Sequence, residues 1–245
     1  MVGFLSDKYI RTAKTLFFLF MFMLMFDFIA KADTIYQVTP ESDLQEIIDS
    51  CNDSEQNKVI IYMHSGIYKP FSAISSMGMP ERCISFIGLS DGVEILSESG
   101  LYKNPAADLR LNGRVENIRF IASHPDGELN VKDKGAYAVH ADYGSQHTVF
   151  SDCTFISYQA SAVGMGLTYD SEMIFKDCHF INRATAKFGS YWRMGAILAH
   201  TPELESGTSG AKLTLEHCIY EYPGESYAGV IVSELNGSEV DFKEI

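Results

Sequence analysis

Three residues in this chain have the types and spacing for proton transfer on one face of a sheet. His140 and Asp142 stand two apart in Ala138-Val-His-Ala-Asp142, and His200 closes the similar run Ala196-Ile-Leu-Ala-His200. Residues two apart in a β-strand share a face. If Val139 and Ala141 point inward, His140 and Asp142 point outward together. Histidine gains and loses a proton near neutral pH, and a carboxylate beside it holds one tautomer. His140, Asp142 and His200 are therefore the candidate catalytic residues, with a histidine as general base. Between the two histidine runs lies Ala162-Val-Gly-Met-Gly166. With Val163 and Met165 inward, Gly164 and Gly166 leave the outer face bare, so a ligand can approach the backbone there. Column order would then run Asp142, Gly166, His200.

The elements that place these residues are read from repeats. Phe150-Ser-Asp-Cys-Thr-Phe155 returns 25 residues later as Phe175-Lys-Asp-Cys-His-Phe180 and again, after 40 more, as Leu215-Glu-His-Cys-Ile-Tyr220. Val115-Glu-Asn-Ile-Arg-Phe120 is an earlier member. A second series interleaves with it: the runs beginning at Ala138, Ala162, Ala196 and Ala228. In the first series apolar and polar residues alternate, the period of a half-buried strand. Two strand patterns that return in fixed order about every 25 residues describe a solenoid in which each coil adds a strand to several parallel sheets. The spacing predicts an all-β fold, a right-handed parallel β-helix, over residues 57–245. Ser42 to Cys51, with Leu44, Ile47 and Ile48 on one face, predicts a short helix in an N-terminal cap over 33–56, hiding an open sheet edge. Ile118, Cys153, Cys178 and Cys218 then form one inward ladder.

Residues 1–32 read as a signal peptide. Lys8, Arg11 and Lys14 precede an apolar run from Leu16 to Phe26, and Ala30-Lys31-Ala32 supplies a cleavage pattern. An uncleaved anchor is the alternative, and either way the remainder is exported, secreted or held at the cell surface. The chain carries 19 Lys and Arg against 32 Asp and Glu, a net charge of −13. No basic stripe exists for phosphates, which excludes nucleic acid as a partner. After cleavage nothing calls for a membrane. The five cysteines form no C-x-x-C and leave an odd count, which argues against zinc and against a disulfide scaffold. No pattern calls for a cofactor, and none selects an oligomeric state.

The series of rungs resembles the pectin-lyase-like superfamily, and within it the pectin methylesterases. The resemblance rests on Val59-Ile-Ile-Tyr-Met-His-Ser-Gly-Ile-Tyr68, Cys83-Ile-Ser-Phe-Ile-Gly88, Val115-Glu-Asn-Ile-Arg-Phe120, Ser151 to Gln159 and Lys176-Asp-Cys-His-Phe180, and covers roughly Val59 to Tyr220. It implies the β-helix fold and a polysaccharide or glycan as ligand. The family's chemistry uses two aspartates with glutamines that hold an oxyanion. Its Y-Q-D motif reads Tyr158-Gln159-Ala160 here, its D-F-I-F-G reads Thr185-Ala-Lys-Phe-Gly189, and its Q-A-V reads Tyr137-Ala-Val139. Pectin methylesterase chemistry by that route is therefore not expected. The expectation is a carbohydrate-active protein that binds a polysaccharide in a groove and cleaves or de-esterifies it, with lyase, hydrolase and esterase left open. Gln159, Gly164, Gly166, Tyr191, Trp192 and Arg193 are the candidate substrate-binding residues, the aromatic rings offering flat area to a sugar face. The alternative is a non-catalytic polysaccharide binder or a phage-tail-like adhesin.

Overall fold

The computed structural model describes residues 33–75, 81–97, 105–122, 137–141, 146–158, 161–166, 170–183, 196–200, 211–221, 230–232 and 239–243, with backbone alone for 199–200, 230–232 and 239–243. The expected leader, residues 1–32, lies outside them. Residues 34–245 form one compact unit.

The chain enters on β1 (Thr34–Val38), turns through α1 (Leu44–Ser50) and then winds in coils. Each coil lays down three strands in the same order. The first is β2 (Val59–Met63), β3 (Gly66–Tyr68) and β4 (Phe71–Ala73). The second is β5 (Ile84–Gly88), β6 (Val93–Leu96) and β7 (Ala107–Leu109), and the third β8 (Asn112–Glu116), β9 (Arg119–Ile121) and β10 (Val139–Ala141). Next come β11 (His147–Ser151), β12 (Thr154–Ser157) and β13 (Val163–Gly166), then β14 (Glu172–Lys176), β15 (His179–Asn182) and β16 (Ile197–His200). The series closes with β17 (Lys212–Glu216), β18 (Ile219–Glu221), β19 (Val230–Val232) and β20 (Glu239–Lys243). The first sheet is β1-β2-β5-β8-β11-β14-β17-β20, the second β3-β6-β9-β12-β15-β18 and the third β4-β7-β10-β13-β16-β19. The strand pairings within the three sheets are parallel. This is a parallel β-helix.

The repeated sequence runs have a geometric cause. Asn117, Asp152, Asp177 and His217 all sit in the left-handed region, with φ of 54°, 52°, 52° and 51°. Each turns the chain from the first sheet into the second. Asn and Asp tolerate that conformation better than other side chains because their short polar groups bond locally. Indeed, the Asn117 amide donates to Gly88 O at 3.2 Å. The residue after each corner points into the core: Ile118, Cys153, Cys178 and Cys218 are 2%, 1%, 1% and 7% exposed. Their thiols are free. Each donates to the carbonyl of the preceding coil: Cys153 to Val115, Cys178 to Phe150 and Cys218 to Phe175, at 3.4, 3.6 and 3.4 Å. Gly88 is glycine because a Cβ there would lie 2.2 Å from the Asn117 carbonyl oxygen.

Aromatic side chains stack along the coils inside. Phe120, Phe155, Phe180 and Tyr220 form the column of the second sheet, in register. Phe155 lies 5.7 Å from Phe120 and 5.0 Å from Phe180, stacked on both. Phe150 and Phe175 of the first sheet meet it edge-on at 5.6 and 5.7 Å.

The segment expected to be only a cap does more. Its first residues form β1, which pairs with β2 and makes Thr34–Val38 part of the first sheet. The helix is present, slightly shorter than expected, with Leu44 and Ile48 buried. Asp43 caps its N-terminus by accepting from Glu46 N at 3.0 Å. Gln45 reaches β4, the edge strand of the third sheet. Its amide donates to Ser72 O at 3.1 Å and its carbonyl accepts from Ser72 N at 2.8 Å, as a neighbouring strand would.

Candidate functional site

The outer face of the third sheet carries the expected histidine. Val139 and Ala141 are fully buried, and His140 points outward, half-buried. On β13 Val163 and Met165 enter the core, which leaves Gly164 on the outer face. On β16 Ile197 enters the core while Leu198 belongs to a separate apolar cluster. Register then sets one outward column: Asp108, His140, Gly164 and Leu198. Gly166 and His200 pair in the next column, two residues further along the strands. Asp142, Gln159, Tyr191, Trp192 and Arg193 lie outside the described residues, as do Ala160 and Thr185.

Among the described residues, the carboxylate that meets His140 is Asp108. Asp108, one coil earlier on β7, places Oδ1 3.2 Å from His140 Nδ1. A carboxylate oxygen only accepts, so the neutral imidazole carries its proton on Nδ1 and its lone pair on Nε2. The pair is partly exposed, at 27% for His140 and 34% for Asp108. Adjacent in-register strands stand about 4.8 Å apart, which is why residues on neighbouring coils reach each other directly.

The floor at Gly164 is not open. Tyr137, just before β10, lays its ring over it, and a Cβ at Gly164 would lie 2.8 Å from two ring atoms. The same ring stacks on His140, with centroids 5.7 Å apart and planes 4° from parallel. Tyr137 and Leu198 form a small buried cluster on the outside of the sheet. The bare strip expected along Gly164 is thus filled by an aromatic ring, because the missing side chain makes room for one.

Asp108 and Tyr137 were missed by sequence reasoning. The signal for Asp108 was present: Ala106-Ala-Asp-Leu109 is an earlier copy of the Ala138 run, one coil upstream. For Tyr137 there was only a mismatch to a family motif, which says nothing about where its ring goes.

Two other features bear on chemistry. A cavity of about 680 Å³ at the N-terminal end is lined by Asp53, Glu55, Glu81, Arg82 and Asn112 among others. Arg82 there bonds Asp53 at 2.8 Å and Ile48 O at 2.7 Å, tying the end of α1 to β5. Two of the core thiols are poor nucleophiles: burial first of all pushes Cys178 well above the usual thiol range, and the hydrogen bond to Cys178 together with burial raises Cys218.

Similar solved structures share the fold. An aspartate-to-alanine variant of a pectin methylesterase, crystallised with a hexasaccharide, superposes with a TM-score of 0.52 at 16% identity. A second pectin methylesterase complex with a hexasaccharide gives 0.50 at 15%. Each comparison covers 82% of this chain and 71% of the other. The chain shares the parallel β-helix fold of these two structures. No protein-family model matches it, and no curated protein sequence does. At this identity the likeness establishes the coil; function is argued from the site.

Proposed function

We propose that this protein is an exported polysaccharide-binding β-helix whose glycan docks on the outer face of the third sheet. The observation that carries the reading is the outward Asp108–His140 pair walled by Tyr137. It presents a partly exposed imidazole and carboxylate, held in place beside a buried ring, to the hydroxyls of a sugar. The fold supports it, since the two pectin methylesterase structures compared above are hexasaccharide complexes. An acidic chain suits a neutral or cationic glycan better than a polyanionic one.

A second reading is favoured by the same pair. A carboxylate that holds Nδ1–H puts the imidazole lone pair on Nε2, the tautomer that a general base uses in lyase, hydrolase or esterase chemistry. One experiment covers both. The protein without residues 1–32 is screened against a panel of polysaccharides, with binding and product release recorded together, and repeated with His140→Ala. The proposal expects binding that His140→Ala weakens. Release of product that His140→Ala abolishes establishes catalysis. No binding to any polysaccharide, or binding unchanged in His140→Ala, overturns the site.

A further inference from the structure

We infer that Tyr137 is a positioning residue and Gly164 its seat: the ring, lying on the bare backbone of β13, fixes the imidazole plane of His140 against Asp108. The inference rests on the proposed site and assigns the roles within it.

Three observations meet here. The rings of Tyr137 and His140 are parallel to within 4°. A Cβ at Gly164 would stand 2.8 Å from the Tyr137 ring, well inside carbon contact distance, so only glycine admits the ring. Leu198, one strand further, is 4% exposed and clusters with Tyr137 on the same outer face. Tyr137 itself is 9% exposed, so it offers a sugar little flat area. What it offers is a wall.

A histidine needs such a wall. The torsion about its Cβ–Cγ bond has broad, roughly two-fold preferences, so an unbraced ring turns. A turned ring loses the Nδ1–H bond to Asp108, and with it the tautomer that puts the lone pair on Nε2. Asp108 supplies the acceptor from one side and Tyr137 the plane from another. On β13 and β16 the column continues as Gly164 and Leu198, neither of which carries charge.

The test reads the tautomer and needs no ligand. The full chain is labelled with ¹⁵N-histidine, and long-range ¹H–¹⁵N correlations are recorded at alkaline pH, where the imidazole is neutral. The wild type and Tyr137→Phe, which keeps the ring, are expected to show His140 protonated on Nδ1. Gly164→Ala, which pushes the ring off its seat, and Tyr137→Leu, which removes it, are expected to lose that signature. Tyr137 lies outside the inner core, so Tyr137→Leu carries the test if Gly164→Ala fails to fold. A His140 that keeps Nδ1–H in Tyr137→Leu overturns the inference. A failed polysaccharide screen with the tautomer loss still present would sink the function and leave the positioning role standing.

Discussion

Phe155 is the residue whose loss the stacked coil should feel most. Its side chain is fully buried in a middle coil and meets four rings: Phe120 and Phe180 face to face, Phe150 and Phe175 edge-on. Truncating a buried phenylalanine to alanine costs about 3–5 kcal/mol in lost transfer energy and cavity. Ring pairs add about 0.5–1.5 kcal/mol beyond area. Parallel strands above and below limit collapse into the hole, so Phe155→Ala is expected near the upper end. For a unit of this size each kcal/mol lowers the melting temperature by roughly 2–4 °C, so a drop of about 10–20 °C is expected. Phe155→Leu, which keeps most of the volume, should cost about 1–2 kcal/mol. Tyr220→Leu, half-buried and stacked 5.5 Å from Phe180, should cost about 1 kcal/mol. Urea unfolding followed by far-ultraviolet circular dichroism gives the three values on one scale. A Phe155→Ala cost below that of Tyr220→Leu would refute the reasoning, since it would mean that the ring ladder does not couple the coils.

Other outcomes follow from single contacts. Tyr68 is buried and donates its hydroxyl to His64 O at 2.8 Å and Val38 O at 3.0 Å, and burial pushes its ionisation up to about 12. The folded state thus disfavours the phenolate. Its contribution is whole below about pH 10, where the unfolded tyrosine is still neutral, and is lost as pH rises toward 12, by roughly 2 kcal/mol; Tyr68→Phe should remove that alkaline slope, and an unchanged slope would contradict the assignment. Gln45→Ala should cost about 1–2 kcal/mol through its two bonds to Ser72 and speed hydrogen exchange at the Ser72 amide, whereas unaltered exchange there would show that α1 does not close the third sheet. In native protein Cys153 and Cys178 should resist a thiol reagent and become reactive in denaturant. Rapid native labelling of either would deny the inward ladder.

Much of the fold was legible because a solenoid repeats its physics. The D-C pair in Phe150 to Phe155 and Phe175 to Phe180 returned because one corner always needs a left-handed residue and the next position always points inward. Alternation alone put Val139 and Ala141 in and His140 out. The rest depended on contacts that periodicity does not encode. Thr34–Val38 has strand-like alternation but no repeat partner upstream, so it read as cap rather than as the edge of the first sheet. Asp108 belongs to a rung whose only resemblance to its successors is Ala-Ala-x-Leu, too faint a likeness to announce its contact with His140. Gly164 was read correctly as outward, yet a missing side chain is equally a space for a ligand or for a neighbour's ring. Only register and the reach of Tyr137 decide between them.

The central claim is that the third sheet's outer face holds the glycan, and hydrogen–deuterium exchange with an oligosaccharide selected from the panel tests it most directly. The account predicts slower exchange at Tyr137 to Ala141 and at Val163 to Gly166, with Ile84 to Gly88 and Thr154 to Ser157 unaffected, and loss of that protection in Asp108→Ala. Protection centred on the first or second sheet, with the His140 strand unchanged, would contradict it.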